Sequence, residues 1–105
     1  MKVTYLGHAC VNIEIEGAHF LVDPFISANP LAQHININDI EATYILLTHA
    51  HGDHILDAEA IAKRTGASLI TNPEILAHYR ALGIDGHDMN IGGSHRFLDG
   101  KVKIK

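Results

Sequence analysis

Three imidazoles and a carboxylate fall within one short stretch, His49-Ala50-His51-Gly52-Asp53-His54. Neutral imidazole nitrogen and carboxylate oxygen are the ligands that zinc and similar borderline metals accept. The stretch directly follows the apolar run Tyr44-Ile45-Leu46-Leu47, which reads as a buried strand. In extended backbone, side chains alternate sides, so His49, His51 and Asp53 are expected to point the same way. Gly52 lets the chain bend sharply, and His54 then joins them from the next turn. Four such groups converging without a bound ion would crowd charge and leave polar atoms unpaired. The spacing therefore predicts a metal site built from His49, His51, Asp53 and His54.

The elements that must hold this site are legible on both sides of it. Lys2 to Leu6 reads as a strand, followed by a turn at Gly7-His8-Ala9. Val11 to Glu16 alternates apolar and polar, as a half-buried strand does. His19 to Val22 returns as a third strand after a hairpin turn, and Asp23-Pro24 ends it because Pro24 cannot donate to a ladder. Phe25 to Asn38 shows no period and reads as a long loop of the kind that forms lids or rims, with Asn36-Ile37-Asn38 a candidate substrate rim. A short helical turn is expected at Asp39 to Ala42. Past the histidines, Ala58, Ile61, Ala62 and Thr65 recur with helical spacing, and Gly66 stands where a helix stops. Ser68 to Thr71 is a further strand, and Asn72-Pro73 opens a helix whose buried stripe is Ile75, Leu76, Tyr79 and Leu82. Short strands are then expected at Met89 to Ile91, His95 to Leu98 and Val102 to Lys105, with a hairpin turn at Asp99-Gly100. The sum is an α+β chain with a mixed β-sheet and helices on one face.

A chain of 105 residues with 47% hydrophobic content forms a single domain, residues 1–105, with a modest core. The formal charge of −4 and the absence of a basic stripe argue against nucleic acid as a partner. No apolar run is long enough for a transmembrane helix, so no membrane partner is expected. The N-terminus has the pattern of a strand, not of a signal peptide. One cysteine, Cys10, rules out an internal disulfide and fits a cytoplasmic setting. Nine histidines are many for this length, and three of them lie in the metal-ligand stretch.

The pattern His49-x-His51-x-Asp53-His54, after a buried strand and before a helix, resembles the metal-binding signature of the metallo-β-lactamase superfamily. Thr4-Tyr5-Leu6-Gly7-His8-Ala9, Leu21-Val22-Asp23-Pro24-Phe25 and Asn90-Ile91-Gly92-Gly93 are similar to a subgroup of small metal-dependent hydrolases within it. The resemblance implies the N-terminal half of an αββα sandwich. It implies a binuclear site in which His49 and His51 ligate one metal and Asp53 and His54 the other. The metal would be Zn2+, with Mn2+, Fe2+ or Ni2+ also accepted by such ligands. The family adds a third histidine, a bridging aspartate and a last histidine, none of which can be assigned before Lys105. The reaction implied is hydrolysis of a small-molecule ester, lactone or phosphodiester by metal-activated hydroxide. Asp53 is the catalytic residue in that scheme, orienting the water or shuttling a proton.

Other residues take smaller parts. His8 follows the first strand as His49 follows its own, and is read as lining the site's mouth or as a turn residue capping backbone groups. Asp23 is read as a carboxylate that orients a ligand, or as the first residue of an Asp-Pro turn. Thr48 is a strand-end residue, and Cys10 a small buried side chain. His19, His34, His78, His87 and His95 belong to surface or hairpin positions. A half-sandwich leaves one apolar sheet face uncovered, so homo-oligomerisation or other association through that face is expected. The alternative to a hydrolase is a non-catalytic metal-binding fragment; a nucleic-acid enzyme is disfavoured by the charge.

Overall fold

Period-two apolar alternation and glycine-containing turns build the first half of the sheet. In the computed structural model, which describes all of residues 1–105, β1 (Lys2–Gly7), β2 (Cys10–Ile15) and β3 (Ala18–Val22) form an antiparallel meander. The connection changes at Asp23. The chain then leaves the sheet through two short 3-10 turns, Pro30–Ala32 and Ile37–Asp39, and returns as β4 (Tyr44–Leu46), parallel to β3. β5 (Ser68–Thr71) and β6 (Gly86–Asp88) extend the parallel part, giving one six-stranded sheet whose spatial order is β1-β2-β3-β4-β5-β6. A separate antiparallel hairpin, β7 (His95–Phe97) and β8 (Val102–Ile104), follows.

The helices are α1 (Gly52–Ile55), α2 (Ala58–Thr65) and α3 (Pro73–Arg80). α2 buries Ala58, Ile61 and Ala62 and stops at Gly66, whose left-handed backbone is cheap for glycine alone. α3 starts as its sequence dictates: Asn72 Oδ1 accepts the Ile75 N–H at 2.9 Å, and Pro73 fills the first turn. Both helices lie on one sheet face, where Leu21, Ile45 and Leu69 pack with Ile61, Leu76 and Tyr79 in a single core. Each fully buried aliphatic side chain there contributes roughly 1.5–3 kcal/mol.

The other face carries Val3, Ile13, Phe20 and Tyr44 in one register row, and Tyr5, Val11, Val22, Leu46 and Ile70 in the next. The β7–β8 hairpin covers its middle, with Tyr44 edge-on to Phe97 at 5.3 Å and stacked on Phe20 at 5.0 Å. The β1 end stays open: Val3 is 58% and Tyr5 69% exposed. No helix is long and apolar enough to cross a membrane.

Three local expectations are corrected. The turn expected at Asp39 to Ala42 lies at Ile37–Asp39, because Asn36 Oδ1 accepts the Asn38 N–H and starts it earlier. The stretch 25–38 is likewise not structureless, since Asn29 starts the Pro30–Ala32 turn in the same way. The strand expected at Met89 to Ile91 lies instead at Gly86–Asp88. There the backbone approaches Leu69 so closely that a β-carbon on residue 86 would sit 2.1 Å from the Leu69 carbonyl oxygen. Only glycine permits that pairing. Ile91, which made the later segment look strand-like, is fully exposed.

Candidate metal centre

The carboxyl ends of adjacent parallel strands are where an open sheet presents groups to a ligand. β3 ends in Asp23 and β4 leads into Thr48 and His49. The Asp23 N–H donates to the Leu46 carbonyl at 2.9 Å, which places the two strand ends side by side. Asp23 adopts φ of +43°, in the left-handed region that Asp tolerates better than most residues. That turn aims its carboxylate, only 3% exposed, back across the end of β4. Oδ1 accepts the Thr48 N–H at 2.8 Å, and Oδ2 accepts the Thr48 hydroxyl at 2.6 Å. His54 Nδ1 lies 3.0 Å from the same Oδ2.

These contacts fix two imidazole tautomers. A carboxylate only accepts hydrogen bonds, so His54 must present Nδ1–H to Asp23, leaving its Nε2 lone pair free. The single Thr48 hydroxyl proton goes to Asp23. His49 Nδ1, 2.9 Å from Thr48 Oγ1, must therefore donate to that oxygen, and its Nε2 is also left free. Two metal-capable nitrogens are thus prepared by one buried carboxylate, the arrangement that commonly orients histidine ligands. The rings of His49 and His54 lie 4.0 Å apart, and those of His49 and His51 4.6 Å apart.

Asp53 is not on the extended segment that the alternation argument assigned to it. Gly52 already begins α1, so Asp53 projects from a helical turn toward His8, whose Nε2 is 3.1 Å from Asp53 Oδ2. Partial loss of hydration pushes the Asp53 carboxyl up. The hydrogen bond from His8 and the charge of His54 outweigh this and hold it below the usual carboxylate range. His54 Nε2 stands 3.8 Å from Asp53 Oδ2. With His54 neutral, both atoms are electron-pair donors facing each other, a juxtaposition that a cation between them satisfies. Two sets of donor atoms converge within 4.8 Å: His8 with Asp53 and His54, and Asp23 with His49 and His54. The donor chemistry and the facing lone pairs both fit a divalent metal.

The structure brings together His49, Asp53 and His54 of the expected ligands with His8 and Asp23, the two residues read in the sequence as lining the site or orienting a ligand. His51 stands at the N-terminal boundary of α1 without capping it through its side chain, and it touches His49 but belongs to neither donor set. Thr48, read in the sequence as a strand-end residue, is the link between His49 and Asp23. Asp57 went unremarked in the sequence. It looks like an ordinary helix-start residue, yet its side chain caps no group of its own helix and reaches across to Ile26 and Ser27. Clefts flank the cluster. One of about 370 Å³ is lined by Thr48, Asn72, Asn90 and Ile104 among others, and one of about 280 Å³ by Tyr5, His8, Leu31 and His34 among others.

Residues 3–104 match the model of the metallo-beta-lactamase superfamily. The chain belongs to this superfamily. Two superfamily relatives are each 55% identical to it, the UPF0173 metal-dependent hydrolases of Flavobacterium johnsoniae and Christiangramia forsetii. Each alignment covers 98% of this chain and 46% of the relative, so the chain spans about half the length of the curated relatives it matches. Among solved structures, the metallo hydrolase Igni18 from Ignicoccus hospitalis superposes with a TM-score of 0.83 at 34% identity, over 94% of this chain and 43% of that one. The six-stranded mixed sheet with helices on one face is the N-terminal half of the metallo-β-lactamase fold.

Proposed function

We propose that the complete protein is a metal-dependent hydrolase, and that this chain supplies its first metal ligands. The observation that carries the reading is that His54 Nε2, left free by the Asp23 contact, faces Asp53 Oδ2 at 3.8 Å beside His49, whose Nε2 is left free by Thr48. His49, His51 and His54 would hold metal through imidazole nitrogen and Asp53 through its carboxylate, in a binuclear site. Asp23 would act as the partner that orients His49 and His54. Zn2+ suits this ligand set best, and Mn2+, Fe2+ or Ni2+ suit it also. A divalent metal held by these residues would supply hydroxide near neutral pH, by lowering the pKa of its water toward about 7. Asp53, held ionised by the hydrogen bond from His8, would accept or orient a proton of a water bound there. The substrate would be a small ester, lactone or phosphodiester.

The whole of residues 1–105 acts as one structural unit in this reading. A cytoplasmic setting accords with the single buried thiol, Cys10. Association, with a second copy or with further chain, would use the open β1 end of the second sheet face. Net charge of −4 offers nothing to nucleic acid.

The test compares the protein with the double variant His49→Ala/His51→Ala. Zinc calorimetry should show tight binding in the first and none in the second. Ester, lactone and phosphodiester panels, run on a protein of the relatives' full length, should show hydrolysis that a chelator abolishes. Metal binding without turnover on any panel would favour the non-catalytic metal-binding reading.

A further inference from the structure

We infer that Asp57 is a positioning residue for the metal centre, acting on His54 and His49 through Asp23; the inference rests on the metal-site reading above. Asp57 stands at the junction of α1 and α2, directly before the first residue of α2. Its side chain is 3% exposed and leaves its own helix uncapped. Instead Oδ2 accepts the N–H groups of Ile26 and Ser27 at 2.7 and 2.9 Å, and Oδ1 accepts the Ser27 hydroxyl at 2.5 Å. In return its own N–H donates to the Pro24 carbonyl at 3.0 Å.

Four hydrogen bonds thus clasp the segment Pro24 to Ser27 against the α1–α2 junction. Asp23 immediately precedes that segment, in a left-handed conformation that needs its surroundings to hold it. Asp23 in turn orients Thr48, His49 and His54. His54 lies three residues before Asp57. The clasp therefore fixes the distance between the carboxylate and the imidazole from both sides: it holds the Asp23 turn and the helix that carries His54 in one rigid loop. A buried carboxylate with three donors is costly to build, since it must be desolvated. Its partners here are all on the one segment that aims Asp23.

The experiment uses Asp57→Asn and Ser27→Ala. Asp57→Asn keeps one acceptor oxygen for the Ile26 and Ser27 N–H groups but removes the negative charge and turns an NH2 toward the Ser27 hydroxyl, whereas Ser27→Ala removes one donor. Two readouts are taken. The first is the imidazole 15N spectrum of the metal-free protein, where His54 should show protonated Nδ1 and free Nε2. The second is zinc affinity by calorimetry. In Asp57→Asn, the His54 signals should shift toward an exchanging mixture of tautomers while His19, far from the site, stays fixed. Zinc affinity should fall roughly 10- to 100-fold, as for lost partners of ligating histidines. Ser27→Ala should move both readouts in the same direction by less, and it decides the matter if Asp57→Asn does not fold. Unchanged His54 signals in folded variants would overturn the proposal, whether or not metal binds. Absent zinc binding in the unaltered protein would instead overturn the metal-site reading, and the nitrogen spectra would still decide the role of Asp57.

Discussion

Thr48 joins Asp23 twice, donating its N–H to Oδ1 and its hydroxyl to Oδ2. The hydroxyl oxygen still has a lone pair for His49 Nδ1–H. One threonine thereby relays the orienting effect of a buried carboxylate to a histidine that the carboxylate does not touch. Thr48→Val keeps the shape and removes the hydroxyl. It should leave the fold intact at a cost of about 1–3 kcal/mol, because the His49 Nδ1–H loses its acceptor while Asp23 Oδ2 keeps only His54. Zinc affinity should fall about 10-fold as His49 loses its fixed tautomer. Thermal melting and calorimetry on the same samples check both figures, and an unaltered affinity would remove Thr48 from the site.

The His8–Asp53 contact makes a prediction about acid. The carboxyl of Asp53 is held below its usual range in the folded protein, so its contribution to stability is present above the ordinary carboxylate range. It is lost as pH falls through the depressed folded value. Both side chains are largely exposed, which keeps the effect small. His8→Ala should move Asp53 up toward the usual range, read by carboxyl 13C titration of the metal-free protein. No movement would mean that the charge of His54 alone holds Asp53 down.

Cys10 is fully buried, and burial raises its thiol from the ordinary 9.0 to about 12; the nearby charges of Asp23 and Asp57 add to this against a backbone hydrogen bond from Phe25. The native thiol should resist iodoacetamide at pH 8 and react once denaturant is added. A folded-state value above the unfolded one means that this stabilisation is complete below pH 9 and disappears as pH climbs from 9 toward 12. Alkaline melts of the native protein and of Cys10→Ala should therefore converge over that interval. Rapid native labelling would contradict the burial.

The open end of the sheet predicts association of the 105-residue chain. Val3 and Tyr5 stand exposed on the same face as buried Phe20 and Ile70. Exposed apolar area of this kind favours self-association. Sedimentation should report species heavier than a monomer, and Val3→Glu with Tyr5→Glu should shift them toward monomer. A clean monomer before any substitution would show that the hairpin β7–β8 already covers enough of the face.

Much of this architecture is written locally. The alternation in β2, the Asn72-Pro73 helix start and the Gly66 stop each act through neighbours a few residues away, and each stands where its pattern places it. The histidine stretch likewise reads as a candidate site from neighbouring residues alone. What the pattern misses acts at long range. Asp57 reaches residues about thirty positions earlier, and nothing in periodicity records such a reach. Thr48 gains its role only because β3 and β4 end side by side. Asp53 departs from the alternation because Gly52 starts a helix one residue before it, and His51 then falls outside the donor sets. Gly86 defeats a hydrophobic count because its contribution is the absence of a side chain.

The spatial order of the six strands repeats their order along the chain. A growing polypeptide can therefore lay each strand against a neighbour that has already left the ribosome, with no slot held open for a later arrival. Every residue in the donor sets and in the clasp that steadies them lies between His8 and Asp57, ahead of β5. The corner is thus complete once the chain has been made as far as Asp57, before β5 and β6 exist. If these groups bind their metal as proposed, capture would accompany translation and stabilise the nascent β3–β4 edge before the strand that covers it exists.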